Sequence, residues 1–181
     1  KQSKGRAIQN LINIGLDDKV LAYIPVKDIK DPEYANANFV VLSTKLGLIK
    51  KTSLEAYSRP RTNGINAVTI REGDELLQAR LTDGNSEVVI GLKSGKAIRF
   101  NESKTRAVGR TAMGVKGITL GGPDDEVVGM VCVNDPESSI LVVSANGYGK
   151  RSAVDDYRIT NRGGKGVKTL QVTEKTGELI S

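Results

Sequence analysis

The stretch Asn161-Arg-Gly-Gly-Lys-Gly-Val-Lys-Thr169 decides the fold, because its second half is one copy of a recurring phrase. Gly166-Val-Lys-Thr-Leu-Gln-Val repeats Gly114-Val-Lys-Gly-Ile-Thr-Leu and Gly64-Ile-Asn-Ala-Val-Thr-Ile, and Gly5-Arg-Ala-Ile-Gln-Asn-Leu follows it more loosely. In each copy a glycine opens onto a β-patterned run, as a strand entered through a turn would. These glycines stand 59, 50 and 52 residues apart. A second marker, in Lys45-Leu-Gly-Leu-Ile-Lys-Lys, Lys93-Ser-Gly-Lys-Ala-Ile-Arg and Ala145-Asn-Gly-Tyr-Gly-Lys-Arg, places Gly47, Gly95 and Gly147 at spacings of 48 and 52. Two independent markers in register at a period of about fifty describe a repeat protein.

Within a unit the apolar patterning predicts four short strands, in the third unit over 115–120, 127–133, 140–144 and 149–152. Leu46-Gly47, Ser94-Gly95 and Asn146-Gly147 read as tight two-residue turns between the third and fourth strands. Polar crossovers over 52–63, 101–111 and 152–162 carry the chain to the next unit. Four-stranded units of this size cannot bury both faces alone, so the reading is an all-β, propeller-like array of blades. The approximate units are 5–63, 64–113, 114–165 and an incomplete 166–181, with strand edges at both ends that a longer protein or a neighbouring copy would cover. Residues 25–38, rich in Asp, Asn, Lys and Pro, read as a surface-loop insertion.

With 181 residues and 38% hydrophobic content the chain can form a core, and the first residue, Lys1, points to a piece of something longer. No run is long enough to span a bilayer and no leader pattern is present. There is no histidine and one cysteine, Cys132, read as a small buried hydrophobe in an apolar run. A disulfide framework, common zinc sites and histidine-based acid/base chemistry are thereby excluded, which argues against a self-contained enzyme. No catalytic residue, metal site or cofactor is expected.

The net charge of +6 is unevenly spread. Residues 43–71, 93–117 and 145–168 carry +5, +6 and +4, while 72–92 and 118–144 carry −4 and −5. The basic stretches occupy the same part of each unit, so stacked units would align them as a stripe suited to an anionic partner. Its candidates are Lys45, Lys50, Lys51, Arg59 and Arg61; Lys93, Lys96, Arg99, Lys104, Arg106, Arg110 and Lys116; and Lys150, Arg151, Arg158, Arg162, Lys165 and Lys168. Aromatics are 4% with no tryptophan, too few for stacking platforms, so duplex backbone suits the stripe better than single strands. A curved stripe of this kind would bind without sequence preference and favour bending the duplex.

Other motifs yield to bland readings. Gly163-Gly-Lys-Gly-Val-Lys-Thr lacks the order of a phosphate loop and is followed by a strand pattern. The pairs Asp17-Asp18, Asp124-Asp125 and Asp155-Asp156 have no third ligand at a recognisable spacing and read as turn chemistry. Tyr57 and Tyr157 occupy matching crossover positions and read as packing residues.

On Lys45-Leu-Gly-Leu-Ile-Lys-Lys-Thr, Glu55-Ala-Tyr-Ser-Arg-Pro-Arg, Val108-Gly-Arg-Thr-Ala-Met-Gly-Val-Lys-Gly-Ile and Tyr148-Gly-Lys-Arg-Ser, the whole chain resembles the C-terminal domains of DNA gyrase A subunits. The resemblance implies a β-pinwheel, a ring of blades that swap strands with their neighbours. It also implies wrapping of double-stranded DNA around a basic rim, for a type II topoisomerase that introduces negative supercoils using ATP hydrolysed by a B subunit. An A2B2 assembly in the bacterial cytoplasm, associated with the nucleoid, is implied too, with the catalytic tyrosine outside this chain. The family's box, Gln-Arg-Arg-Gly-Gly-Lys-Gly, is matched by Arg162, Gly163, Gly164, Lys165 and Gly166, while Thr160 and Asn161 replace its first two residues. Following three repeats, this copy reads as an internal echo of a box lying before Lys1. The alternatives are the similar domain of topoisomerase IV A subunits and a propeller-like scaffold that binds an acidic protein.

Overall fold

The computed structural model describes residues 4–12, 14–15 and 17–181. Its strands are β1 (Phe39–Thr44), β2 (Leu48–Ser53), β3 (Leu76–Thr82), β4 (Glu87–Leu92), β5 (Lys96–Asn101), β6 (Val115–Lys116), β7 (Val127–Val133), β8 (Ser139–Val143), β9 (Gly149–Ala153) and β10 (Val167–Lys168). Three antiparallel hairpins, β1–β2, β4–β5 and β8–β9, are the seeds. The β1–β2 and β4–β5 connections, residues 45–47 and 93–95, are three residues long rather than two, and residues 144–148 join β8 to β9. Gly47 donates its N–H to the Thr44 carbonyl and Gly95 to the Leu92 carbonyl, closing a four-residue turn whose last residue is left-handed, at φ 86° and 79°. Glycine is what that position takes at no steric cost.

The hairpins grow by borrowing. The first sheet runs β3-β1-β2-β6 and the second β10-β5-β4-β7, so each takes an inner strand from beyond its own hairpin and a short outer strand from further on still. The sheets therefore do not follow the boundaries 5–63, 64–113 and 114–165: the first draws on residues from 39 to 116, the second on residues from 87 to 168. The third sheet pairs β8 with β9, and Leu179 makes a bridge to Ser144 that matches the pairing of Leu76 with Thr44 and of Val127 with Leu92.

The recurring G-V-K phrase is this outer strand. Val115 and Lys116 pair with Ile49 and Leu48, and Val167 and Lys168 with Ala97 and Lys96. Only two residues ladder in each case, shorter than the expected 115–120, because the chain then leaves the edge to meet the hairpin turn. The marker glycine has a steric cause. Gly114 and Gly166 sit at φ 94° and 71°, and a Cβ on them would lie 2.6 and 2.5 Å from the carbonyl oxygens of Ile49 and Ala97. Around the loose first copy the chain instead makes a one-turn 3-10 helix, Ile8–Asn10, and residues 64–70 of the second copy form no strand either.

Alternation along the strands puts apolar side chains on both faces of each sheet. Val41 and Ile49 meet Val88, Ile90, Ile98 and Phe100 between the first and second sheets. Val89 and Ala97 meet Tyr157 and Ile140 between the second and third. Each such side chain contributes roughly 1.5–3 kcal/mol on leaving water. Val40, Leu42, Leu54 and Ala79 cover the outer face of the first sheet against Ala22, Ile24, Val26 and Tyr34. The 25–38 insertion is thus more than a surface loop: it holds helix α1 (Pro32–Ala37), capped by the Asp31 side chain, with Ala35 buried.

Candidate nucleic-acid interface

Each crossover leaves the end of a hairpin in a short 3-10 turn, and the second and third run back along the outer edge of the preceding sheet. Ala107 lies parallel beside Lys51 on β2, and Ile159 beside Arg99 on β5. The chain then loops out, over 108–114 and 160–166, before returning as β6 or β10. These loops carry the exposed cations. Arg59 and Arg61 stand on the first crossover, Lys104, Arg106 and Lys116 on and after the second, and Arg158, Lys165 and Lys168 on and after the third, all exposed. Lys96 is half-buried and lies directly opposite Lys168 in the ladder. Like charges so placed repel, and an anion between them would relieve the repulsion.

Three expected members of the stripe do not face solvent. Lys50, Lys51 and Arg99 are 2%, 6% and 5% exposed. The reason is register: Lys51 stands opposite Val41 and Arg99 opposite Val89, so both point with those valines into the seam toward the next sheet. Lys51 pairs with Glu102 at 3.1 Å and lies over the Phe39 ring. Arg99 pairs with Glu87 and Asp155 and donates to the carbonyls of Val154 and Tyr157. Burial alone would lower its pKa, but the two carboxylates hold it above the usual arginine value. Lys50 donates to the carbonyls of Ala67 and Arg110; burial, with Arg110 nearby, pulls its ammonium down to about 8. These three hold the array together.

Arg151, opposite Leu141, occupies the same register position as Lys51 and Arg99. It and Lys150 are exposed, since among the described residues no crossover lies along β9. Lys45 and Lys93 stand at the hairpin turns, where Glu75 and Glu178 partner them at 2.7 and 3.3 Å. The Glu75 contact raises the Lys45 pKa. The remaining two, Arg110 and Arg162, are half-buried and turned toward the neighbouring loop, Arg110 donating to Asn66 O and Arg162 to Lys104 O and Lys116 O.

Sequence reasoning missed Thr69 and Thr119, whose hydroxyls donate to the carbonyls of Thr111 and Gly163 on the next loop. Both stand five residues after a marker glycine, which was the available signal. It also missed Glu102, which occupies the place of Leu54 and Val154 at the start of a crossover turn. The packing readings fared better. Tyr157 is buried, Asp125 caps the Ser94 and Gly121 amides, and Cys132 packs on the main core with its thiol pushed up to about 12 by burial and Glu102.

The chain matches the family described as DNA gyrase C-terminal domain, beta-propeller, over residues 38–83, 93–134 and 138–181. It is 45% identical to the DNA gyrase A subunit of Staphylococcus aureus over 99% of its own length and 20% of the relative's, so it spans about a fifth of that protein. Among solved structures it resembles a C-terminal domain of DNA topoisomerase IV (TM-score 0.85, 28% identity, 98% of this chain and 53% of that one). It also resembles a DNA gyrase A C-terminal domain (TM-score 0.83, 25% identity, 98% and 57%). A repeated strand-borrowing hairpin, a propeller-like all-β array and this match along most of its length place the chain in the family of DNA gyrase C-terminal β-propeller domains.

Proposed function

We propose that this domain binds and wraps double-stranded DNA through backbone phosphates, without sequence preference. The observation that carries the reading is that exposed cations recur on all three crossovers, the second and third of which lie along sheet edges: Arg59 and Arg61, then Lys104, Arg106 and Lys116, then Arg158, Lys165 and Lys168. The opposed pair Lys96 and Lys168 is a natural seat for one phosphate. Lysines and arginines presented on a bent rigid support bind a flexible polyanion by counterion release and curve it as they do so.

In the parent protein the domain would present a wrapped segment to the breakage-and-rejoining core of a type II topoisomerase. Negative supercoiling would be driven by ATP hydrolysis on a B subunit in an A2B2 assembly in the bacterial cytoplasm, near the nucleoid. The chemistry, including the catalytic tyrosine, would lie outside residues 1–181. The 45% identity to a gyrase A subunit favours gyrase over topoisomerase IV.

Titration of a random 40-base-pair duplex at rising salt tests the reading. With about ten phosphates contacted, the log–log slope of affinity on salt is roughly −9. Absence of duplex binding at low salt, with retention on an acidic protein column, would favour the scaffold instead.

A further inference from the structure

The bonds between successive crossover loops repeat. Arg110 donates to Asn66 O at 2.7 Å and Arg162 donates to Lys116 O at 2.8 Å, in both cases the carbonyl two residues beyond the preceding marker glycine. In return, Thr69 Oγ1 donates to Thr111 O at 2.6 Å and Thr119 Oγ1 donates to Gly163 O at 2.7 Å. The backbone adds Thr69 N–H to Ala112 O and Thr119 N–H to Gly164 O. A further bond differs in kind but serves the same place: Gly163 N–H reaches Gly117 O, whereas the matching Ala67 O is taken by the Lys50 ammonium. Apart from the Lys50 bond, which comes from β2, each of these crosses from one loop to the next, so the loops that bear the cations are joined in series.

We infer that Arg110 and Arg162 are positioning residues: with Thr69 and Thr119 they latch each loop to the one before it and so set the spacing and curvature of the cation track. The inference rests on the wrapping reading. A planar guanidinium committed to carbonyl oxygens holds its loop in one place, and Arg162 uses both Nε and Nη1, toward Lys104 O and Lys116 O. An ammonium carries the same charge without that fork. Charge and latch are therefore separable by substitution, with affinity for a short, straight duplex reporting the first and bending of a long duplex the second.

The test uses the domain as it stands and a 15-base-pair and a 60-base-pair duplex, the longer one end-labelled for fluorescence transfer. Wild-type protein binds both and brings the labelled ends together. Arg162→Lys keeps affinity for the short duplex within about twofold, loses most of the end-to-end approach, and speeds hydrogen exchange at the Thr119 and Gly163 amides; Thr119→Val does the same with no change of charge. Lys165→Gln, on the same loop, lowers affinity without changing those exchange rates. The inference is overturned if Arg162→Lys and Thr119→Val bend DNA as wild type does, or if their short-duplex affinity falls in step with Lys165→Gln. Failure of the wild-type domain to bind either duplex overturns the wrapping reading instead, while the exchange rates still report whether the latch exists.

Discussion

Lys51 Nζ and Glu102 Oε1 form an ion pair 3.1 Å long across the seam between the first and second sheets, with side chains 8% and 1% exposed. The position of Glu102 is filled by Leu54 and Val154 in the other crossovers, both buried. An apolar residue is thus the default there and the carboxylate is the exception that answers Lys51. Glu102→Leu alone strands a buried ammonium and should destabilise the domain by about 3–5 kcal/mol. Lys51→Met with Glu102→Leu should recover most of that, because well-packed apolar pairs replace buried ion pairs at little cost. Denaturant unfolding of the two single variants and the double variant closes the cycle; strictly additive losses would dissolve the coupling.

Arg106 and Arg99 should fail in different ways. Arg106→Gln, at an exposed loop position, should leave the unfolding midpoint within error and reduce the salt slope of duplex binding by about 0.9. Arg99→Met should lower stability by about 3 kcal/mol or more, since Glu87 and the carbonyls of Val154 and Tyr157 lose their buried partner. Its salt slope, measured where the variant is still folded, should match wild type. A fall in slope for Arg99→Met would return that residue to the interface.

Lys50 makes stability depend on pH in a defined window. Its ammonium titrates near 10.5 in the unfolded chain and at about 8 in the fold, where burial opposes the charge. Between those values the unfolded state holds a proton that the folded state has released, so stability rises with pH; below about 8 both states are charged and the cost of burial is borne in full. The difference in unfolding free energy between wild type and Lys50→Met should be flat from pH 6 to 7 and climb from about 8 to 10. Unfolding at five pH values measures it, and a flat difference throughout would mean that the ammonium is not desolvated.

The marker glycines should separate by environment. Gly114→Ala places a Cβ 2.6 Å from Ile49 O at a left-handed φ and should cost roughly 2 kcal/mol or more. Gly64 has the same handedness, φ 79°, but open space around it, so Gly64→Ala should cost about 1 kcal/mol. Thermal unfolding of both variants checks the order, and equal losses would show that backbone handedness alone accounts for the repeat.

Much of the architecture was legible because it is local and recurs. The hairpins over 39–53, 87–101 and 139–153 follow from apolar alternation broken by a glycine turn, chemistry confined to fifteen neighbouring residues. The G-V-K phrase could be recognised as a strand because its glycine is required sterically, yet its partner could not. Val115 pairs with Ile49 across two units, and nothing within either segment names the other. The expected strands at Gly5 and Gly64 failed for the same reason: among the described residues neither segment ladders onto a sheet edge.

Among the cations, the sequence by itself determined how many there are and that they recur once per unit, because composition and spacing survive in one dimension. Only the tertiary structure decided what each one does. Strand register turns Lys51 and Arg99 into the seam, and the neighbouring loop turns Arg110 and Arg162 onto carbonyl oxygens, while Arg106, Lys165 and Lys168 are left to solvent. The physical reason is that a side chain's charge is intrinsic, whereas its solvation depends on whichever sheet or loop the fold lays over it.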